Sequence, residues 1–395
     1  MSRRARAQGA GPSGKLARVV GTSILDGDGL PLHLRGTNLG NWIVPEGYMF
    51  GFGKATAPWQ IRQIIVELAG SEVANRFGSD WLDRFIQRDD LRYIRSLGLN
   101  LVRVPIDYRI LTPESHPGLW LEEGFVLLDR LVEWCRAEGL FVLFDLHAAV
   151  CGQTGTNIDN SHGYPFLFLD EACRQRTADV WARVAARFAG HPTVIGYDLL
   201  NEPLPNEHKA LNPLLVDVYR QLVRSVRAHD KDHILFLAGA SWNTNFSIFD
   251  NVVLDENVVY TFHHYGAEPD QKLIDWFLSV PQKFGRPVFL GESGENSDRW
   301  VETLRVLLDS HGIGWAFWPY KKMQSTSSLR TYDAPAGWDQ IVAYQERFDG
   351  PVAERFAIRP PAGTVRAALS ELLDNIRFER TSPNPGYIRA LGLSP

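Results

Sequence analysis

Eight short apolar runs alternate with helical segments along this chain, and that alternation narrows the fold more than any other feature. A short apolar run suits a strand buried on both faces, as in a parallel sheet covered by helices. The runs are His33 to Leu39, Asn100 to Ile106, Leu140 to Leu146, Thr193 to Leu200, Ile234 to Ala238, Val258 to His264, Pro287 to Gly291 and Gly314 to Trp318. Helical spacing fills the intervals, at about Pro58 to Ala69, Trp81 to Leu97, Gly124 to Glu138, Glu171 to Phe188, Pro213 to Ala228, Leu273 to Phe284 and Ser297 to Ser310. A last helix follows over Thr364 to Asn375, with Thr364 as its N-cap. Eight strand-helix units in strict alternation predict an α/β fold, a closed (β/α)8 TIM barrel forming one domain over residues 15–395. The insertion from Tyr320 to Ala362, between the eighth strand and the final helix, is expected to lie over the face where the strands end.

A chain of 395 residues, 45% hydrophobic, is long enough for such a barrel as one domain. Its 41 Lys and Arg against 46 Asp and Glu leave a formal charge of -5, which carries no polyanion-binding signature and makes nucleic acid an unexpected partner. Cys135, Cys151 and Cys173 are too few and too irregular for a disulfide framework or a zinc cluster, so all three are expected as free thiols. Met1 to Gly14 is basic and small-residue rich without a following signal-like apolar run, and reads as a disordered arm. No run reaches the roughly 18 apolar residues of a membrane span. The default expectation is a cytoplasmic protein, or a secreted or periplasmic one if a leader has been removed. Composition sets no oligomeric state.

Polar residues interrupt the apolar runs at their C-terminal ends. Arg103 lies on the second strand, His147 on the third, Asn201 and Glu202 on the fourth, His263 and Tyr265 on the sixth, Glu292 on the seventh and Trp318 on the eighth. In a parallel barrel these ends converge on one mouth, where barrel enzymes place their chemistry. Each residue alone has an ordinary explanation, as a core ion pair, a satisfied histidine or a packed ring. Together, with two glutamates among them, they form one constellation. Asp145 and Asp198, inside strands, read as hydrogen-bonded structural carboxylates. Glu295 and Asp298 read as charges at a helix start. Trp242, Asn243 and Trp338 fall on loops near the predicted mouth.

Two carboxylates across a barrel mouth suit glycoside hydrolysis, in which one protonates the leaving oxygen and the other attacks the anomeric carbon. Aromatic faces for sugar rings and Asn, His and Arg donors for hydroxyls complete that chemistry. The ordered set resembles glycoside hydrolase family 5 from Arg35 to about Lys322. Asn201-Glu202-Pro203 is similar to the family's acid/base motif and Gly291-Glu292-Ser293-Gly294 to its nucleophile motif. Arg103 in Arg-Val-Pro, His147 in Asp-Leu-His, His263-His264-Tyr265 and Trp318 in Trp-Ala-Phe-Trp match as well.

A narrower resemblance is to the fungal exo-β-1,3-glucanase branch. Arg35-Gly36-Thr37-Asn38-Leu39-Gly40-Asn41-Trp42-Ile43-Val44-Pro45-Glu46 is similar to its opening segment, and Asp145-Leu146-His147 with Gln153-Thr154-Gly155 and Asp159-Asn160-Ser161 to its third loop. The segments after Pro203 and from Tyr320 to Ala362 do not match. The resemblance implies a retaining double displacement on a β-linked glucan or oligosaccharide, with Glu292 as nucleophile, Glu202 as acid/base and no cofactor. It further implies that Arg103 and Tyr265 orient Glu292, His263 sits near Glu202, Asn201 holds the sugar 2-hydroxyl, His147 and Glu46 take other hydroxyls, and Trp318 is the sugar platform.

Other readings remain open at this point. Endo action, hydrolysis of a β-glucoside or glycolipid, and transglycosylation use the same residues. A metal-dependent barrel hydrolase would need a His-x-His pair that the first strand lacks. A non-catalytic sugar-binding barrel would have no need of both glutamates.

Overall fold

The computed structural model describes residues 11–394. Eight parallel strands close a barrel: β1 (Arg35–Asn38), β2 (Leu101–Asp107), β3 (Phe141–Ala148), β4 (Val194–Asp198), β5 (Ile234–Ala238), β6 (Val258–His264), β7 (Val288–Ser293) and β8 (Gly314–Phe317). They pair in chain order, and β8 closes on β1 through Trp315 opposite Arg35. Helices separate most of them, so the (β/α)8 expectation holds, with strand bounds moving by a few residues.

Alternation along each strand sorts the core into two layers. On β2 and β3 the outward residues Val102, Val104, Val142, Phe144 and Leu146 pack under the surrounding helices. The inward residues Leu101, Phe141 and Leu143 join Ile195, Ile234, Phe236, Val259 and Phe289 in a separate apolar plug. A hairpin that the sequence reading did not foresee, Arg18–Val20 with Ser23–Leu25, packs Val19 and Ile24 against this plug and closes the strands' N-terminal end. Polar inward residues are thereby left to the opposite end.

Four expectations need correction. The helix expected from Trp81 to Leu97 is two, Ser71–Phe85 and Arg88–Ser96. The break falls at Gln87, which is extended and gives its backbone N–H to Asp90 Oδ2 at 2.8 Å, a capping bond that competes with helix continuation. The last barrel helix starts at Ala362, behind Pro361, so Thr364 lies inside it rather than capping it. Cys151 and Cys173 form a disulfide, which ties the loop after β3 to the helix Glu171–Phe188; only Cys135 is a free, buried thiol. Sequence spacing hid this bond because both cysteines lie on the same loop-helix connection, 22 residues apart.

The fourth correction concerns the insertion. It forms strands Lys321–Met323 and Arg330–Tyr332 and helices Trp338–Gln345 and Val352–Ala357. Its helices buttress the loop after β1: Trp338 Nε1 donates to Phe50 O at 2.8 Å, and Gln345 Oε1 accepts the Lys54 and Ala55 amides. Arg355 pairs with Glu67 on the neighbouring helix. The insertion therefore stands beside the mouth, and of the residues described here only Lys322 reaches its wall. The arm expected over Met1 to Gly14 lies outside the described residues up to position 10. Residues 11–14 are placed, with Gly11 against the backbone of Gly139.

Candidate active site

The inward row on β3 changes character along the strand, from Phe141 and Leu143 in the plug to Asp145 and His147 at the mouth. Arg103, two residues past Leu101 on β2, is fully buried above the plug. Its guanidinium donates to Asp198 Oδ2 at 2.9 Å, Asn38 Oδ1 at 3.0 Å and Asn201 Oδ1 at 2.9 Å, and it pairs with Asp145 at 3.0 Å and with Glu292. Burial alone would lower its pKa, but Asp145, Asp198 and Glu292 together hold it above the usual value. Burial pushes the carboxyls of Asp145 and Asp198 up to about 7, against the pull of Arg103. A buried cation with this many acceptors fixes a rigid floor, because moving any member strands a charge.

Glu292 reaches this floor through a bulge. Between β6 and β7 the register runs from Phe262 opposite Leu290 to His263 opposite Glu292, which leaves Gly291 as the extra residue. A Cβ at Gly291 would lie 2.5 Å from Thr261 Oγ1 and 2.8 Å from His263 Nε2, so only glycine fits. Asn38 Nδ2 holds the Gly291 carbonyl at 3.0 Å. Tyr265 Oη donates to the second oxygen of Glu292 at 3.3 Å. Burial, then the charge of Glu292, keeps that phenol protonated well above its ordinary range.

Glu202 follows β4 on a left-handed backbone, φ +44°, with Leu204 at φ +52°. Such conformations cost on the order of 1–2 kcal/mol for a residue with a Cβ and concentrate where geometry is functional. His263 Nδ1 lies 2.8 Å from Glu202 Oε1 and 3.6 Å from Glu292 Oε2. Burial lowers the imidazole to about 3, so it stays neutral beside both carboxyls. Burial also raises Glu202 above the usual carboxylate range, opposed by His147 and Arg103. Glu202 and Glu292 present oxygens within 4.8 Å of each other. That spacing suits the roughly 5 to 5.5 Å of a retaining pair and is too short for the about 6.5 to 9.5 Å of an inverting one.

Above this floor the cavity, about 330 Å³, is lined by Glu46, Tyr48, His147, Ile158, Glu202, Tyr265, Glu292, Glu295 and Trp318. The His147 ring stacks on Trp318 at 5.6 Å, 6° from parallel, and its Nδ1 is held by Asp145 Oδ2 at 2.8 Å. Burial lowers its pKa as well. Gly40 leaves room for the indole, since a Cβ there would sit 2.6 Å from it. Asn201 is buried below, 3.4 Å from His147 Nε2. Glu46 is raised well above its ordinary value by burial and then by Glu292, Glu295 and Glu202.

All nine residues singled out in the sequence thus surround one mouth. Sequence reasoning missed Tyr48, Ile158, Glu295 and Lys322. Glu295 is no helix-start charge: the helix begins at Asp298, and Glu295 turns into the cavity at φ +52°. Trp338 does not line the cavity, being buried and stacked on Phe52 at 5.7 Å. Trp242 and Asn243 lie in a left-handed turn outside the cavity lining. Two sets, Asp145 with His147 and Glu292, and Glu202 with His263 and Glu292, have metal-like spacing. Both share Glu292, which already faces the guanidinium of Arg103, and a second cation would meet its repulsion.

Comparison with known proteins agrees with this geometry. The family model described as cellulase (glycosyl hydrolase family 5) matches residues 61–324, about two thirds of the chain. A β-xylosidase of Phanerodontia chrysosporium is 31% identical over 253 residues, which cover 63% of this chain and 52% of that protein. A probable glucan 1,3-β-glucosidase A of Aspergillus fumigatus is 29% identical over 301 residues, covering 71% and 70%. This chain spans about half the length of several curated relatives it matches. Among solved structures, a β-glucanase of Saccharophagus degradans superposes with TM-score 0.54 at 17% identity over 91% of this chain and 94% of that one. An endogalactoceramidase superposes with TM-score 0.59 at 20% identity over 78% and 75%. With a closed parallel barrel, a close carboxylate pair at its mouth and this family match, the chain belongs to glycosyl hydrolase family 5.

Proposed function

We propose that the enzyme releases terminal glucose from β-1,3-linked glucans or gluco-oligosaccharides by double displacement. The observation that carries this reading is the Glu202–Glu292 pair set in a pocket whose wall includes Glu46. Glu292 attacks the anomeric carbon while Glu202 gives its proton to the glycosidic oxygen, breaking the C–O bond. Water then attacks the glycosyl-enzyme, Glu202 accepts its proton, and the β configuration returns. Asn201 and His147 face the sugar hydroxyls, and Trp318 is the platform under the ring. Arg103, Tyr265 and His263 position the two carboxyls.

The acid must touch the leaving oxygen, so the leaving group extends over β3 to β5 and the glycone lies over β7, β8 and β1. Glu46 stands on that glycone side and can accept two hydroxyls of a terminal sugar. The cavity is at the low end of the about 300–1,000 Å³ of ligand pockets, as a terminal-residue site requires. Glucan 1,3-β-glucosidases among the relatives support the linkage, while the β-xylosidase and endoglucanases define the competing activities to assay. The test is a proton NMR time course on a β-1,3-gluco-oligosaccharide. β-Glucose as the first product supports the proposal; only longer products, or turnover of β-xylosides alone, overturns it.

The Cys151–Cys173 bond supports work in an oxidising compartment, since cytosolic reductants keep such thiols reduced. Protein isolated without reductant and then unfolded is expected to show one titratable thiol; three would return the protein to a reducing one.

A further inference from the structure

Behind Trp318 a chain of side chains ties together three loops that are distant in sequence. Trp318 Nε1 donates to Tyr48 Oη at 2.8 Å, and Tyr48 Oη donates to Glu295 Oε2 at 3.0 Å. Lys322 Nζ donates to Glu295 Oε1 at 2.5 Å and lies 4.4 Å from the centre of the Tyr48 ring. Tyr48 comes from the loop after β1, Glu295 from the turn after β7, and Lys322 from the first strand of the insertion after β8. Because β7, β8 and β1 are neighbours in the closed barrel, these residues form a continuous wall along one side of the mouth.

The direction of the hydrogen bonds gives Glu295 its importance. A phenol has one proton, and a carboxylate only accepts, so Tyr48 must spend its proton on Glu295 and receive Trp318 on a lone pair. Glu295 thereby fixes which way Tyr48 faces and holds the indole edge. Lys322 supplies the countercharge, and its ammonium lies over the Tyr48 ring. The left-handed backbone of Glu295 is a further sign that the turn is held in place by these contacts. Neither Glu295 oxygen is bonded to Glu202 or Glu292, so the role is positioning.

We infer that Glu295, locked to Tyr48 and Lys322, is the specificity-determining residue that closes the glycone end of the pocket and restricts the enzyme to chain termini. This rests on the reading of Glu202 as the acid, because that assignment puts the glycone on the β7–β8–β1 side. With the wall intact, a sugar beyond the terminal residue meets Tyr48 and the Lys322–Glu295 pair. Without it, a glucan can run through.

The experiment compares the wild-type enzyme, Glu295→Ala, Glu295→Gln and Lys322→Met on a soluble β-1,3-glucan, scoring glucose against longer products, and on an aryl β-glucoside. Glu295→Ala is expected to raise the longer-product share several-fold and KM for the aryl glucoside by about tenfold, with a smaller fall in kcat, as loss of one charge-assisted contact implies. Lys322→Met is expected to do the same to a lesser degree. Glu295→Gln keeps the size but can turn a donor toward Tyr48, and should fall between. Intrinsic Trp fluorescence and a thermal melt accompany each variant, so that a merely unfolded Glu295→Ala is replaced by Lys322→Met as the deciding case. An unchanged product ratio in folded Glu295→Ala and Lys322→Met overturns the inference while leaving the exo reading standing. Longer products from the wild-type enzyme itself overturn both.

Discussion

The floor and the wall of this pocket are built in opposite ways. The floor is Arg103 with Asp145, Asp198 and Asn38, all carried by strands, and Asn201, three residues past one, and all are buried. The wall is Tyr48, Glu295 and Lys322, carried by loops; Tyr48 is 40% exposed, and the side chains of Lys322 and Glu295 are 18% and 24% exposed. In the floor, low dielectric makes every unpaired charge costly, so its members cannot vary independently. In the wall, water screens the ion pair and side-chain entropy opposes it, so changes are tolerated. On the proposed reading, this difference ties the reaction to the rigid floor and the choice of substrate to the more exposed loops.

The largest effect should come from Glu292, the group that joins the floor to the reacting carbon. Glu292→Ala is expected to lower kcat by on the order of 10⁴-fold or more. Added azide should restore turnover of an activated aryl β-glycoside by filling the vacated space, and the product should be the inverted glycosyl azide. Restoration of the retained product would place the nucleophile elsewhere.

Next in size is the contrast between the two cations. Arg103→Met leaves Asp145 and Asp198 buried without their partner and should cost about 3–5 kcal/mol of stability. Lys322→Met should cost under about 1 kcal/mol. Chemical denaturation of both variants measures this difference directly. Equal losses would erase the distinction between floor and wall.

The pH dependence separates the two carboxyls. Glu202 is raised above the usual range by burial, and it must begin each cycle protonated. kcat/KM is therefore expected to fall on the alkaline side as pH climbs through that raised pKa. Glu202→Gln should remove this alkaline limb and cost about 10²–10⁴-fold on a natural oligosaccharide, with far less loss on an aryl glycoside whose leaving group needs no proton. Equal loss on both substrates would remove Glu202 from the acid role.

The floor and the carboxyls above it were legible in the sequence because polar residues interrupt the apolar runs of several strands. His147, Glu202, His263 and Glu292 stand near or just past strand ends and Arg103 lies further back in β2, and barrel closure brings them together. Even the flanking Asp145 and Asp198 could be read as structural carboxylates, and they hold Arg103. The wall was not legible because no periodicity links Tyr48, Glu295 and Lys322. Glu295 looked like an ordinary charge before a helix until its left-handed backbone turned it inward. The break at Gln87 escaped for a related reason: the apolar spacing runs on through it, and only the Asp90 cap stops the helix. The disulfide and the position of the insertion likewise depend on how loops fold back, which is decided by contacts far away in sequence.

The smallest expected effect tests whether Glu46 belongs with the wall or with the floor. Its carboxyl is raised well above the usual glutamate range by burial, then by Glu292, Glu295 and Glu202, with Lys322 acting the other way. A carboxyl whose folded pKa exceeds its unfolded one takes up a proton on folding, so its contribution is fully present at pH below the unfolded value. That contribution is lost as pH rises through the folded value, where an ionised Glu46 faces three other carboxylates. Glu46→Gln removes the titration. Its Tm should match the wild-type enzyme near pH 4 and exceed it by about 1–2 °C at neutral pH and above. Activity should fall in the same variant, because the amide accepts fewer sugar hydroxyls than the carboxylate it replaces. A variant that is both more stable and less active would mark Glu46 as a residue kept for substrate at the expense of the fold. A loss of stability at every pH would make it part of the floor instead.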